Sequence, residues 1–496
     1  MDRFRVDGIR RFCIPDRSAS ICAMLLVGRG LALLVALLLL WSHSFQAVAA
    51  PPSPRITPLD EYVRKPDPVF AWKTVKSIPG NPATVHFLQL TSQTWLTEHV
   101  VDRPVWNHWV VVVVPEKVRS DKALLFVGGG GNDRPMPDKP DPIVVKVAEE
   151  TQSIAVELRM VPNQPLVFHQ DGQPRKEDDL IGYAWDQFLK TGNPEWLPRL
   201  PMVKSVVRCM DCIQAFSKEQ GHPVEKFVIA GGSKRGWTTW MTGAADPRVE
   251  AIVPIVIDVV NVELSLQHHA EVYGFWAKAI GNYYQHHILQ RPDHPRMREL
   301  YRIVDPYSYL DRLTMPKYVL NASGDQFFCP DSSQFYYEEL QGEKLLRYVP
   351  NADHSLRNSD AIESLVAFYQ LVINGKPRPR YVWRFEGDGQ IRVQSDIAPQ
   401  SVVLWQATNS NARDFRLETI GPAFQNQPLA AEPDGSYVAR LRHPDQGWTA
   451  GFVELQYDTG GRNRLKVSSA VRIVPEPLPF AGIDLKAAPF EGNRQP

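Results

Sequence analysis

The chain has 496 residues, 44% of them hydrophobic and 22% charged, with 55 basic side chains against 55 acidic ones. A chain this long and this apolar can bury a large core and hold more than one domain, which excludes a disordered protein. A formal net charge of +0 leaves no basic footprint, so nucleic acid is not expected as a partner.

Residues 1–49 have the pattern of a targeting segment. Arg3, Arg5, Arg10, Arg11 and Arg17 form a basic head, residues 31–41 are almost purely apolar, and Ala47-Val48-Ala49 offers a small-x-small cleavage site. Arg29 separates the apolar run from residues 23–27, which leaves it short for a membrane span. The expectation is an exported protein, periplasmic or secreted, cleaved near Ala49. It would touch a membrane only through this segment, if uncleaved. The basic head is long, and Met24 is an alternative start. Cys13 and Cys22 belong to this segment, leaving Cys209, Cys212 and Cys329. Export permits disulfides, but Cys209 and Cys212 lie three apart on one expected helix and pair badly there, so buried thiols are expected.

From residue 50 to 378 strands and helices alternate. Residues 69–78 and 83–91 are expected strands joined by the hairpin signal Pro79-Gly80-Asn81-Pro82. Residues 108–114 form a strand apolar on both faces, hence an interior one. The next strand, 123–127, opens into Gly128-Gly129-Gly130-Gly131. Four glycines together cost entropy to order. Backbone N–H groups can close on a substrate oxygen only where no side chain intervenes, so Gly128, Gly129 and Gly130 are candidate oxyanion-hole donors. A flexible turn is the alternative, and a phosphate loop is discounted because no Gly-Lys-Ser/Thr follows. After a strand at 153–158, residues 179–189 and 201–216 have helical periodicity.

Residues 227–230 are an apolar strand running straight into Gly231-Gly232-Ser233-Lys234-Arg235-Gly236-Trp237. This is the grammar of a nucleophile elbow: a buried strand, a turn too sharp for most side chains, then a helix. The usual spacing is Gly-x-Ser-x-Gly; here Gly231 fits, Arg235 takes the second glycine's place and Gly236 comes one residue late. Downstream, a strand at 318–322 ends in Gly324-Asp325, and one at 345–349 leads to Asn351-Ala352-Asp353-His354. Serine, acid, histidine is the chain order of α/β-hydrolases. Ser233 is therefore the candidate nucleophile, His354 its base and Asp325 the orienter, with Asp353 a weaker rival. The N–H of Lys234 joins the candidate oxyanion donors. Lys234 and Arg235 also put positive charge beside the serine, which either favours a carboxylate-bearing substrate or serves salt bridges. Arg235 and Trp237 are the candidate substrate contacts.

Residues 262–312 break the alternation with an aromatic, histidine-rich helical insertion containing Tyr273, Trp276, Tyr283 and Tyr284, either a lid or plain packing helices. Its pairs His268-His269 and His286-His287 point to different helix faces, so neither is a metal site by itself; no metal and no cofactor are expected. Residues 361–373 form a last helix, and Lys376-Pro377-Arg378-Pro379-Arg380 a linker. Beyond it come seven short alternating runs, at 381–385, 390–394, 401–406, 415–419, 436–441, 450–457 and 465–473. The fold class expected is α/β: an α/β-hydrolase-like, mostly parallel sheet flanked by helices over 50–378, then a C-terminal all-β sandwich of immunoglobulin or fibronectin type over 379–476. Residues 477–496 are expected to be a loose tail.

The stretches 161–166, 200–207, 231–240 and 322–325, with Asn351-Ala352-Asp353-His354, resemble the PhoPQ-activated pathogenicity-related family, whose members include autocrine proliferation repressor-like proteins. The resemblance covers most of residues 55–475. It implies an exported α/β-hydrolase-like protein of poorly defined activity, linked in some members to envelope stress or virulence. It also makes the late glycine a family habit. The function expected is that of a serine hydrolase, esterase or peptidase, acting on a small-molecule or peptide substrate. The alternative is a non-catalytic signalling or binding protein on the same scaffold.

Overall fold

Nine strands form the central sheet of the computed structural model, which describes residues 56–493; the targeting segment expected at 1–49 lies outside the described residues. The strands are β1 (Ala71–Ile78), β2 (Ala83–Thr94), β3 (Val105–Pro115), β4 (Lys122–Val127), β5 (Ala155–Leu158), β6 (Lys226–Gly232), β7 (Val249–Ile255), β8 (Lys317–Ala322) and β9 (Lys344–Val349). Their order in the sheet is β1-β2-β3-β5-β4-β6-β7-β8-β9. The first three run antiparallel, as does the β3–β5 pair, while β5 through β9 are parallel. Parallel strands must be covered on both faces, and their sequences are accordingly unbroken apolar runs. Phe227, Val228, Ile229 and Ala230 of β6 are wholly buried.

Helices α1 (Pro58–Arg64), α2 (Pro142–Thr151), α3 (Glu177–Thr191), α4 (Arg199–Glu219), α5 (Lys234–Ala245), α6 (Val262–Tyr273), α7 (Gly281–Gln285), α8 (Met297–Val304) and α9 (Ala361–Ile373) accompany the sheet. Their starts follow local chemistry: Thr57 and Asp60 make a reciprocal capping box on α1, and Asp141 caps α2 ahead of Pro142. Among the described residues no helix is long and apolar enough to cross a membrane.

The C-terminal strands are β10 (Tyr381–Glu386), β11 (Gln390–Ser395), β12 (Ser401–Asn409), β13 (Gln425–Pro428), β14 (Tyr437–Arg440), β15 (Trp448–Asp458), β16 (Arg464–Ser468) and β17 (Arg472–Val474). They build two antiparallel sheets, β10-β11-β14 and β13-β12-β15-β16, with β17 also on β15. Two local expectations are corrected, and one strand appears where none was expected. The run at 415–419 is no strand but leads into a helical turn at Leu417–Ile420. Strand β13 has only exposed residues, so no alternation announces it. The run at 465–473 is two strands, interrupted after Ser468.

These sheets share a core with the rest of the chain. Val393, Leu404, Val453 and Val467 lie in one apolar cluster with Leu365 and Phe368 of α9 and with Leu124 and Val228 of the central sheet. The Tyr381 hydroxyl accepts from Leu346 N–H and donates to the carbonyls of Leu346 and Ser468. The chain from 57 onward is one compact unit. The loose tail expected beyond 476 is also corrected. Phe480 N–H donates to the Glu271 carbonyl, Trp276 exchanges main-chain hydrogen bonds with Pro489 and Glu491, and Phe490 stacks on Tyr284 at 5.1 Å. Gly274 and Gly281 make room, since a Cβ at either would lie 2.8 Å from the rings of Phe480 and Phe490.

Candidate active site

Ser233 stands between β6 and α5 with φ 57° and ψ −128°, a conformation costly for any residue with a Cβ. Its N–H is fixed to the Ile255 carbonyl (2.8 Å), and its own carbonyl accepts the first helical bond, from Trp237. The glycines around it are steric requirements. A Cβ at Gly231 would lie 2.9 Å from the Arg235 backbone, and one at Gly236 would lie 2.8 and 2.9 Å from the carbonyl oxygens of Gly231 and Ile255. The late glycine is thus where α5 passes closest to β6 and β7.

Asp325 and His354 follow β8 and β9 on the same, C-terminal edge of the sheet. They are joined: His354 Nδ1 lies 2.8 and 3.1 Å from the two Asp325 oxygens. Asp325 also accepts from the Phe327 N–H (2.8 Å), and the Phe327 ring packs 4.3 Å from the imidazole. Asp353, the rival orienter, instead accepts from Ser355 N–H and hydroxyl. The Nε2 of His354 is inaccessible to solvent and has no hydrogen-bond partner, so no bond joins it to Ser233. The serine lines a cavity with Phe327, while His354 lines a neighbouring one with Gly232.

The glycine run leaves the sheet beside the elbow, because Val127 pairs with Gly231 in register. Of the expected oxyanion donors Gly128 is corrected: its N–H is spent on the Leu158 carbonyl at 2.7 Å. Gly129, Gly130 and the N–H of Lys234, at the open start of α5, remain available positions. A side chain at Gly129 would have to displace the Arg235 guanidinium, since its Cβ would sit 2.6 Å from Nη2.

Arg235 as a substrate contact is also corrected. Its guanidinium is held by both Glu177 oxygens (2.7 and 2.8 Å) and by the Val161 carbonyl (2.6 Å). Lys234 Nζ lies 2.9 Å from Glu177 and 3.4 Å from Asp178. Burial works to raise the Glu177 pKa, yet Arg235, Lys234 and Gln164 together hold the carboxyl well below the usual range. Gln164, in one of the stretches that carry the family resemblance, ties this network to the glycine run by donating to Glu177 and to the Gly130 carbonyl.

Trp237 does line the cavity of Ser233, with its indole N–H committed to the Val304 carbonyl. The insertion supplies Leu266, His269, Ile280, Tyr283 and Leu289 to the same walls. Two polar groups here escaped sequence reasoning. Arg199 is 2% exposed, its Nη1 donates to the Lys234 carbonyl at 2.7 Å, and its guanidinium stacks 4.5 Å over the Trp237 ring. Burial pulls its pKa down to about 10. Asp258, just past β7, is held by the hydroxyls of Tyr336 (2.7 Å) and Tyr348 (2.5 Å). Burial, with Asp325 and Asp331 adding to it, pushes its carboxyl up to about 7. The only signals for these two were an arginine at the head of an apolar helix and an acid at the end of a buried strand.

His268, Cys329 and Asp331 come within 4.8 Å of one another in a buried cluster. Asp331 is already committed on both oxygens, to His268 Nε2 (2.9 Å) and to Arg413 (2.7 Å), which makes the cluster an ion network across the fold. Cys209, Cys212 and Cys329 are free and buried, and burial raises each thiol pKa.

Among solved structures, the fold is similar to acetyl xylan esterase 1 from a Thermoanaerobacterium species, with 17% identity, TM-score 0.44, and 64% of this chain covering 93% of that one. It is also similar to an acetyl xylan esterase from a Paenibacillus species (16% identity, TM-score 0.40, 61% and 91%) and to an acylaminoacyl peptidase from Pyrococcus horikoshii (13%, 0.37, 62% and 50%). In sequence the chain is 42% identical over 467 residues to autocrine proliferation repressor protein A of Dictyostelium discoideum, covering 88% of this chain and 94% of that protein. The model of the PhoPQ-activated pathogenicity-related protein family matches residues 59–416. By the family model and the 42% identical relative, the chain belongs to the PhoPQ-activated pathogenicity-related protein family.

Proposed function

We propose that the protein is an exported serine hydrolase that cleaves an ester or peptide bond through Ser233, His354 and Asp325. The observation that carries this reading is the His354 ring. A buried carboxylate fixes its Nδ1, while its Nε2 is left without a partner on the edge of the sheet where the strained serine stands. A ring oriented in this way is a base awaiting a proton. The Ser233 hydroxyl attacks the carbonyl carbon as its proton passes to Nε2. The tetrahedral oxyanion collapses, and the leaving alcohol or amine departs with that proton. Water then repeats the sequence on the acyl-serine, releasing the acid and restoring the hydroxyl. Donors for the oxyanion are the N–H of Lys234 and one from Gly129 or Gly130, each worth roughly 3 kcal/mol of barrier.

The lack of a hydrogen bond between Ser233 and His354 Nε2 favours a second reading, a binding or signalling protein on a hydrolase scaffold. Unliganded sites commonly tighten only around substrate, which is why we place it second. Labelling by a fluorophosphonate probe separates the two. Wild type should label, and Ser233→Ala and His354→Ala should not. A folded wild type that stays unlabelled would overturn the hydrolase reading. Export is tested by sequencing the N-terminus of the protein recovered outside the cytoplasm, expected just after Ala49.

A further inference from the structure

We propose that Arg199 forms a subsite for a single carboxylate on the ligand of the Ser233 cavity, so that the ligand pairs an apolar or aromatic body with one negative group. The proposal deepens the hydrolase reading by naming a substrate class, and it rests on that reading only in taking this cavity as the substrate site. Of the two roles expected for Lys234 and Arg235, the structure favours salt bridges over contact with an acidic substrate, because Glu177 and Asp178 neutralise both. Arg199 differs from them. It takes part in no ion pair among the described residues. Its Nη1 is bonded to a neutral carbonyl, and its Nη2 is buried without a partner.

A buried cation without a counter-ion is costly, and the ordinary remedy is an anion. The charges around it leave room for one. Arg199, Lys234 and Arg235 face only Glu177 and Asp178, and Asp178 is already shared between Lys234 Nζ (3.4 Å) and the Tyr283 hydroxyl (3.3 Å). His269 adds no positive charge, since burial holds it neutral. Asp258, the remaining acid on the wall, is occupied by Tyr336 and Tyr348. The other walls, Trp185, Trp237, Leu266, Ile280 and Leu289, suit a hydrocarbon or ring. The planar guanidinium, already stacked on Trp237, lines this cavity and keeps its Nη2 unpartnered for a carboxylate oxygen.

The test is calorimetric titration of Ser233→Ala protein, which cannot turn over, with 4-phenylbutanoate and with its neutral isostere 4-phenylbutanamide. The acid should bind at least about tenfold more tightly than the amide, the effect of one charge-assisted bond. In the double variant S233A/R199M the acid should fall to the level of the amide. R199K, which keeps the charge but loses the fork, should lie between them. Equal binding of acid and amide to S233A, or no binding of the acid at millimolar concentration, overturns the subsite. A preference that survives R199M also overturns it. The acid–amide comparison needs no change at position 199, so it decides the matter even if R199M does not fold. Turnover is read separately. Wild type that hydrolyses neutral esters yet shows no acid preference removes the subsite and keeps the hydrolase. An unlabelled wild type that still prefers the acid does the reverse.

Discussion

Ser233 and the Asp325–His354 pair reach the same edge of the sheet by different means. The serine's geometry is written within a dozen residues: strand β6, two glycines, and a helix whose own glycine clears the crossing. The acid and the histidine stand on loops that need distant help. The Leu417 N–H donates to the Gly324 carbonyl (2.9 Å), beside Asp325, where a Cβ on Gly324 would meet Leu417 at 2.9 Å. Asn351, three residues before His354, exchanges two 2.9 Å hydrogen bonds with the backbone of Phe424. The Tyr348 N–H donates to Ser468. A strained serine at a strand–helix turn is held by local sterics, whereas a histidine on a loop must be held from outside. The β12–β13 connection and strand β16 provide that hold.

The largest effect should come from cutting the pair itself. Asp325→Asn keeps the shape but leaves Nδ1 facing an amide that can present a donor to it, and kcat should fall by roughly 10⁴-fold with the melting temperature little changed. On the other half, Gly236→Ala drives a methyl against two backbone carbonyls that cannot swing aside. It should cost about 1–3 kcal/mol of stability, read by urea unfolding. A neutral result would mean that the late glycine is not needed for the crossing. Asn351→Ala tests the external brace. Loss of both bonds to Phe424 should lower kcat about 10- to 100-fold through misplacement of His354, with KM nearly unchanged because the cavity walls lie elsewhere. Equal kcat in this variant and wild type would show that the loop is held without the β12–β13 connection.

The same contrast explains what the sequence could disclose. The elbow, the glycine run, the strand ends bearing Asp325 and His354, and helix α9 are all patterns of near neighbours, and each stands where its residues place it. Arg235 misled because its charge was visible and its partner was not: Glu177 lies 58 residues away. Arg199 gave no hint, since a cation at the head of an apolar helix is ordinarily solvated, and only the packed cavity leaves it unpaired. Phe480 and Phe490 sit in a stretch rich in proline and glycine without periodicity, so their docking against Gly274 and Gly281 is a tertiary fact alone. Residues 415–419, Phe-Arg-Leu-Glu-Thr, alternate as a short strand does, but the chain turns as a helix from Leu417, which packs against Gly324.

The smallest effect lies between the two halves, at Asp258. It follows β7, with the serine strand β6 on one side and the acid strand β8 on the other, and Tyr348 of β9 holds one of its oxygens. Burial raises its carboxyl from an ordinary 3.8 to about 7. Between these values the folded protein keeps a proton that the unfolded chain has released. Stability therefore falls as pH rises through that window, and this group adds no further slope above it. Asp331 opposes it: burial works to raise its pKa, but His268 and Arg413 hold it low, so its contribution is lost only in stronger acid. Asp258→Asn removes the titration while both tyrosines keep a partner. Melting curves from about pH 4 to about pH 8 should show the variant gaining on wild type across the window and running parallel above it. A constant difference at every pH would mean that Asp258 is ionised throughout, and that the core between serine and acid carries a charge despite its burial.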